Sequence, residues 1–177
     1  MKKFTLLVVF IFSFFSCEHP KEITTFYLIR HAEKDRSNPS DRNPNLTEEG
    51  ENRAANWAKY FSDIELDAVY STNYNRTLQT AKPTAESKNL EIKKYDPRTL
   101  YNLEFESETD NKSVLIVGHS NTTPVFANMI LKRHNDTLRK NTFSYMDDKD
   151  NASLYIVTIT KQGTEKSVNA EIVKVGN

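Results

Sequence analysis

Cysteine is almost missing from this chain. Cys17 is the only one in 177 residues, so an internal disulfide is excluded, as is a cluster of thiolate metal ligands. Histidines at His-x-x-x-His spacing are also missing. Glycine and proline are scarce, at 4 and 6 residues, too few for a linker-rich chain, and no internal repeat or low-complexity tract occurs. An excess of one charge is lacking too: 24 basic and 24 acidic side chains cancel. That balance argues against a nucleic-acid binder or a binder of anionic membrane surfaces. Long apolar runs are limited to Phe4–Phe15, shorter than the roughly 20 residues of a membrane-spanning helix. What remains is enough chain for one domain with its own core.

The N-terminus differs from the rest. Met1-Lys2-Lys3 is basic, Phe4–Phe15 is apolar, and Ser16-Cys17 follows. This is the plan of a secretory signal. The position of Cys17 resembles the lipobox of bacterial lipoproteins, although Phe14 stands where Leu is usual. The expectation is a signal peptide of lipoprotein type over 1–17, a polar tether over 18–22 and a single domain over 23–177. The protein is then exported to a bacterial cell envelope and touches the membrane only through a lipid on Cys17. Loss of Lys2 and Lys3 leaves 22 basic against 24 acidic side chains.

The domain is organised around Phe26-Tyr27-Leu28-Ile29-Arg30-His31. An apolar run of strand length stops on Arg-His. Val114-Leu115-Ile116-Val117-Gly118-His119 repeats the pattern. Ligands of open α/β sheets bind beyond the carboxyl ends of strands, so both histidines belong at one edge. Between these strands, Glu33–Asn45 reads as a loop on the rim of the site. Thr47 reads as the N-cap of a helix carrying Ala54, Trp57 and Phe61. Asp67–Ser71 reads as a strand, and Thr72–Lys82 as a helix that Pro83 ends or kinks. Leu90–Lys94 reads as a short strand, and Asp96-Pro97 as the start of a helix through about Glu106. Asn121–Leu131 reads as a helix, and Ser153–Thr160 with Val168–Val175 as a closing hairpin. Lys132–Asp150 is polar and carries no clear pattern. The expected fold is an α/β three-layer sandwich: a mostly parallel sheet with helices on both faces.

Arg30, His31, Arg76 and His119 form one constellation if the strand ends converge. Two guanidiniums and two imidazoles make an anion site, because the guanidinium fork matches phosphate oxygens in pairs. Neighbouring cations keep an imidazole neutral and nucleophilic. Such a pocket supports phosphoryl transfer without magnesium or any other cofactor. The same residues have a plainer reading, with the histidines structural and Arg76 on the surface.

Arg30-His31-Ala32-Glu33 resembles the Arg-His-Gly/Ala signature of the histidine phosphatase (phosphoglycerate mutase-like) superfamily. Leu46-Thr47-Glu48-Glu49-Gly50 is similar to its Leu-Thr-x-x-Gly. Ser71 to Ala81 is similar to its Ser-x-x-x-x-Arg-Thr-x-x-Thr-Ala, and Val117-Gly118-His119-Ser120 to its second-histidine strand. The four occur in family order. The resemblance implies that His31 is the phosphorylated nucleophile and that Arg30, Arg76 and His119 hold the phosphate. Ser120 and Asn121 lie beside the pocket without an assigned role. Only 42 residues separate Arg76 from His119, which implies a short form with little or no cap domain. Glu104 is the nearest candidate by spacing for the acid that protonates the leaving group, though it also reads as a solvated helix face with Glu106 and Glu108. Glu33 is a second candidate. Without an acid, substrates with good leaving groups are favoured: phosphoramidates, acyl phosphates, anhydrides and aryl phosphates. The implied partner is a small phosphorylated substrate or a phosphoprotein. The competing functions are a phosphoglycerate mutase-type phosphotransferase and a non-catalytic module that binds a phosphorylated ligand.

Overall fold

The computed structural model of the chain describes residues 19–135 and 142–176. The expected signal segment 1–17, with Cys17, lies outside the described residues. Among the described residues no helix is long and apolar enough to cross a membrane.

Six strands form one sheet in the order β3-β2-β4-β1-β5-β6. They are β1 (Lys21–Arg30), β2 (Ala68–Ser71), β3 (Ile92–Lys94), β4 (Ser113–Gly118), β5 (Ser153–Gln162) and β6 (Glu165–Lys174). The first four pair in parallel, while β1–β5 and β5–β6 are antiparallel. The sheet is therefore mixed, and the closing hairpin supplies its antiparallel third. That hairpin turns at Gly163, whose φ of +59° lies in the left-handed region. β1 starts inside the expected tether over 18–22, where Lys21 and Glu22 pair with β5.

The period of two along the strands sorts the core into two halves. Phe26 and Leu28 of β1, with Val114 and Ile116 of β4, pack against Phe105 of α3 (Leu103–Thr109) and Phe126 and Ile130 of α4 (Thr123–His134). Ile29, Leu115 and Val117 face the other way. They meet Trp57 of α1 (Glu48–Tyr60), its C-cap Phe61, and Ala81 and Ala85 of α2 (Asn75–Ser87). Two helices on each face make the three layers.

Two local expectations change. α2 runs through Pro83 to Ser87 instead of ending there. The ring removes one helical hydrogen bond, but Thr80, Ala81, Thr84 and Ala85 are buried on both sides of it, and that burial carries the helix onward. Asp96-Pro97 does not open a helix. Asp96 makes a turn, accepting from the Thr99 N–H through its carbonyl at 3.0 Å and from the Arg98 N–H through its side chain at 2.9 Å. The helix starts later, where the Asn102 side chain caps the Phe105 N–H at 2.8 Å.

Candidate active site

β1 and β4 are neighbours in register, with Arg30 opposite Gly118. Their next residues are therefore adjacent. The His31 N–H donates to the Gly118 carbonyl at 2.9 Å, and the two imidazole rings lie 5.6 Å apart, edge to face. Gly118 is required by crowding: a β-carbon there would sit 2.9 Å from the Tyr95 hydroxyl and 3.0 Å from Thr123 Oγ1.

β2 ends beside β4 and hands on to Thr72, which reaches His119. Thr77 Oγ1 is 2.9 Å from each of the Thr72 and Tyr74 carbonyls, so its hydrogen is spent on a carbonyl. Thr72 Oγ1 then donates to Thr77 Oγ1 at 2.9 Å and accepts from His119 Nε2–H at 3.0 Å. Thr80 ties α2 to the chain just beyond β1. Its hydroxyl accepts from the Ala32 N–H at 2.9 Å and donates to the Arg76 carbonyl at 2.7 Å. Those contacts explain why a second threonine follows Arg76 at this spacing. At Gly50 a β-carbon would lie 2.1 Å from the Glu33 carbonyl oxygen, so α1 presses on the backbone just after His31. Thr47 caps that helix, accepting from the Gly50 N–H at 3.1 Å.

The four expected residues converge on one cleft of ≈ 430 Å³. Arg30 is 3% exposed and His31 is 4% exposed. His31 Nδ1 lies 2.7 Å from the Ala32 carbonyl. A carbonyl only accepts, so Nδ1 carries the hydrogen and Nε2 keeps its lone pair. Burial is the main reason that His31 is held down to about 3, with Arg30, His119 and Arg76 adding to it against the Ala32 hydrogen bond. His119 is lowered to about 4, again by burial and then by Arg76, Lys34 and Arg30. Both imidazoles are neutral at neutral pH. Arg76 stacks on the Tyr74 ring, its guanidinium carbon 4.5 Å from the centroid. Its buried Nε and Nη1 have no hydrogen-bond partner. Buried N–H groups left in that state are sites for an acceptor.

Sequence reading missed several participants. Lys34, Arg36 and Arg98 join Arg30 and Arg76 in the cleft wall. Asp148 is the carboxylate among the residues lining it, and it comes from the polar stretch that showed no pattern. Arg30 Nη2 donates to Asp148 Oδ1 at 3.1 Å, and Arg36 meets its other oxygen at 3.1 Å. Arg30 Nη1 donates to the Asp147 carbonyl at 3.1 Å. Buried Asn151 donates through Nδ2 to the His31 carbonyl at 2.7 Å. Only Tyr74 lay within a recognisable motif.

Of the two acids expected from the sequence, Glu104 lines no cavity with Arg30 and His31, whereas Glu33 lines a cavity of ≈ 520 Å³ with both of them, Arg36 and Asp148. Glu104 is exposed on α3. Glu33 accepts from Arg53 Nε through both oxygens, at 2.7 and 2.8 Å. Between Arg76 and His119 the chain builds only the rest of α2, the three-residue β3, the seven-residue α3 and β4. Among the described residues no group of three or more His, Cys, Asp or Glu is placed to hold a metal ion.

The sequence pattern of the histidine phosphatase superfamily (branch 1) matches residues 26–97. That match spans 72 of the 177 residues and makes this stretch of the chain similar to the superfamily. The matched stretch includes Arg30, His31, Gly50, Arg76 and Thr80 and ends before His119. Phosphoserine phosphatase 1 of Hydrogenobacter thermophilus is 42% identical over 74 residues, which cover 39% of this chain and 35% of that protein. The chain thus matches about a third of the length of that relative. The fold is shared with a putative phosphohistidine phosphatase, SixA, from Agrobacterium tumefaciens, at TM-score 0.56 and 20% identity over 85% of this chain and 97% of the other. It is also shared with a mycobacterial glucosyl-3-phosphoglycerate phosphatase, at TM-score 0.59 and 12% identity over 87% and 100%. At such identities the likeness concerns the fold, not the substrate.

Proposed function

We propose that the protein is a phosphatase that forms a phosphohistidine on His31. The observation that carries this reading is the state of His31: a neutral imidazole, its Nε2 lone pair free, beside two arginines with buried, unpartnered N–H groups, at Nε of Arg30 and at Nε and Nη1 of Arg76. Arg76, Arg30 and His119 bind the equatorial oxygens, where charge is stabilised in phosphoryl transfer. His31 Nε2 attacks phosphorus, and the P–O bond to the leaving group breaks with its electron pair going to that oxygen. Water then attacks phosphorus. The P–N bond breaks, its pair returns to Nε2, and phosphate and a proton leave. No cofactor enters this scheme. The export signal at 1–17 and the lipid on Cys17 belong to the same proposal; they place the domain in the cell envelope, and Cys17→Ser would release it from membranes.

The test is phosphate release from acetyl phosphate, phenyl phosphate and sugar phosphates, with chelator present and His31→Ala alongside. Release that resists chelator and falls by about a thousandfold or more in His31→Ala is expected, together with acid-labile phosphate trapped on the wild-type protein. Phosphate binding without release from any substrate would replace this reading with a binding module. Phosphate moved between hydroxyls without net release would replace it with a mutase.

A further inference from the structure

The phosphate cleft does not end at Thr122. A second cavity of ≈ 510 Å³ shares Pro97, Arg98, Asn121 and Thr122 with it, so the two form one depression. Its far wall is Leu100, Tyr101, Val125, Met129 and Tyr145. Among the described residues six large hydrophobic side chains are exposed, and three of these, Tyr74, Met129 and Tyr145, line this depression. Apolar surface gathered at the mouth of a polar site marks a place where a ligand covers it. Of the lining of the second cavity, only Pro97 falls within the stretch that matches the superfamily pattern, so nearly all of this wall lies outside that stretch.

A second observation concerns protons. Asp148, the carboxylate lining the phosphate cleft, is held by Arg30 and Arg36. Two guanidiniums favour its ionised form, which accepts and does not donate. Asp148 therefore gives a leaving group no proton, which favours groups that depart as anions. Phenolates do so far more readily than alkoxides, since a phenol has a pKa of about 10 and water one of about 15.7.

We infer that the cavity walled by Leu100, Tyr101, Val125, Met129 and Tyr145 holds the aryl group of an aryl phosphomonoester whose phosphoryl group lies against His31. This rests on the phosphohistidine reading above. The bond that breaks is phosphorus to phenolic oxygen, the phenolate keeps the electron pair, and water protonates it after release. Tyr101 and Tyr145 offer ring edges or faces to such a group, and Met129 a thioether. A serine or glycerate leaving group is small and charged and would leave this wall in water.

Binding of two non-hydrolysable phosphonates to the full chain tests the assignment by calorimetry. Benzylphosphonate should bind about tenfold more tightly than methylphosphonate. Tyr145→Ala and Met129→Gln should each bring that ratio down at least threefold. Tyr145 is 76% exposed, so its removal leaves the fold intact. Equal affinity for the two phosphonates, or a ratio that neither variant moves, would overturn the proposal. Tighter binding of hexylphosphonate than of benzylphosphonate would overturn it in favour of an alkyl ligand. Turnover gives the second arm: phenyl phosphate should exceed O-phosphoserine at least a hundredfold in kcat/KM, and the reverse order would overturn the proposal. If neither acetyl phosphate nor phenyl phosphate is hydrolysed, the phosphatase reading fails, and the phosphonate ratio still decides the aryl site.

Discussion

His31 and Asp148 line the same cleft, one needing to be neutral and the other held ionised. Because His31 is lowered to about 3, its nucleophilic form persists far below the usual imidazole range. The acid limb of kcat/KM for acetyl phosphate is therefore expected below about pH 4, and a limb near 6.5 would contradict the assignment. His119 titrates differently. It is neutral when the cleft holds no anion, lowered to about 4. A phosphate dianion beside it favours the imidazolium, so phosphate binding near pH 8, where free phosphate is already the dianion, should take up a proton. Calorimetry in buffers of differing ionisation heat reads that uptake directly. Asp148 competes with phosphate for Arg30. Asp148→Asn is expected to tighten inorganic phosphate binding by about two- to fivefold, the range of a solvent-exposed ion pair. Weaker binding would mean that the carboxylate orders Arg30 rather than competes with the ligand.

At the scale of elements, the helices hold the strand ends in place. α1 touches the chain beyond His31 through Gly50, whose missing side chain lets the helix lie on the Glu33 carbonyl. Gly50→Ala should destabilise the protein by about 1–3 kcal/mol, as overpacking against a backbone does, and chemical denaturation measures it. α2 touches the same segment through Thr80. Thr80→Val keeps the volume but leaves the Ala32 N–H buried without an acceptor, at a cost of about 1–3 kcal/mol. A larger fractional loss in kcat than in KM would mark its effect as one on the position of His31. These motifs were legible in the sequence because each is local: a cap, a crowded glycine and a run of threonines on one helix. Asp148 and Asn151 were not legible. They sit on an irregular stretch, and only the antiparallel pairing of β5 with β1 carries that stretch back to Arg30.

For the molecule as a whole, three histidines are held neutral: His31 at about 3, His119 at about 4 and His134 at about 4. In the unfolded chain each titrates near 6.5. Below that pH the unfolded state binds protons that the folded state refuses, so stability falls as pH falls from 6.5 toward 4. Each histidine contributes at most about 1.4 kcal/mol per pH unit. Thermal unfolding should accordingly lose Tm through this window, before most carboxylates titrate. Phosphate should restore part of the loss by binding only the folded state. A Tm flat between pH 7 and 5 would contradict the burial of these rings.

The sequence alone determined the strand and helix order, the two strand-end histidines and the arginines that accompany them. Periodicity, capping and short motifs depend on neighbours in the chain, and neighbours are visible there. Tertiary structure decided what depends on distant pairing. It placed Glu104 outside the cleft and occupied Glu33 with Arg53. It brought Asp148 onto Arg30 and carried α2 through Pro83. It also joined an apolar wall from residues 100–145 to the phosphate cleft. Each outcome is set by which segments the sheet brings side by side, and contacts across more than a hundred residues leave no local pattern to read.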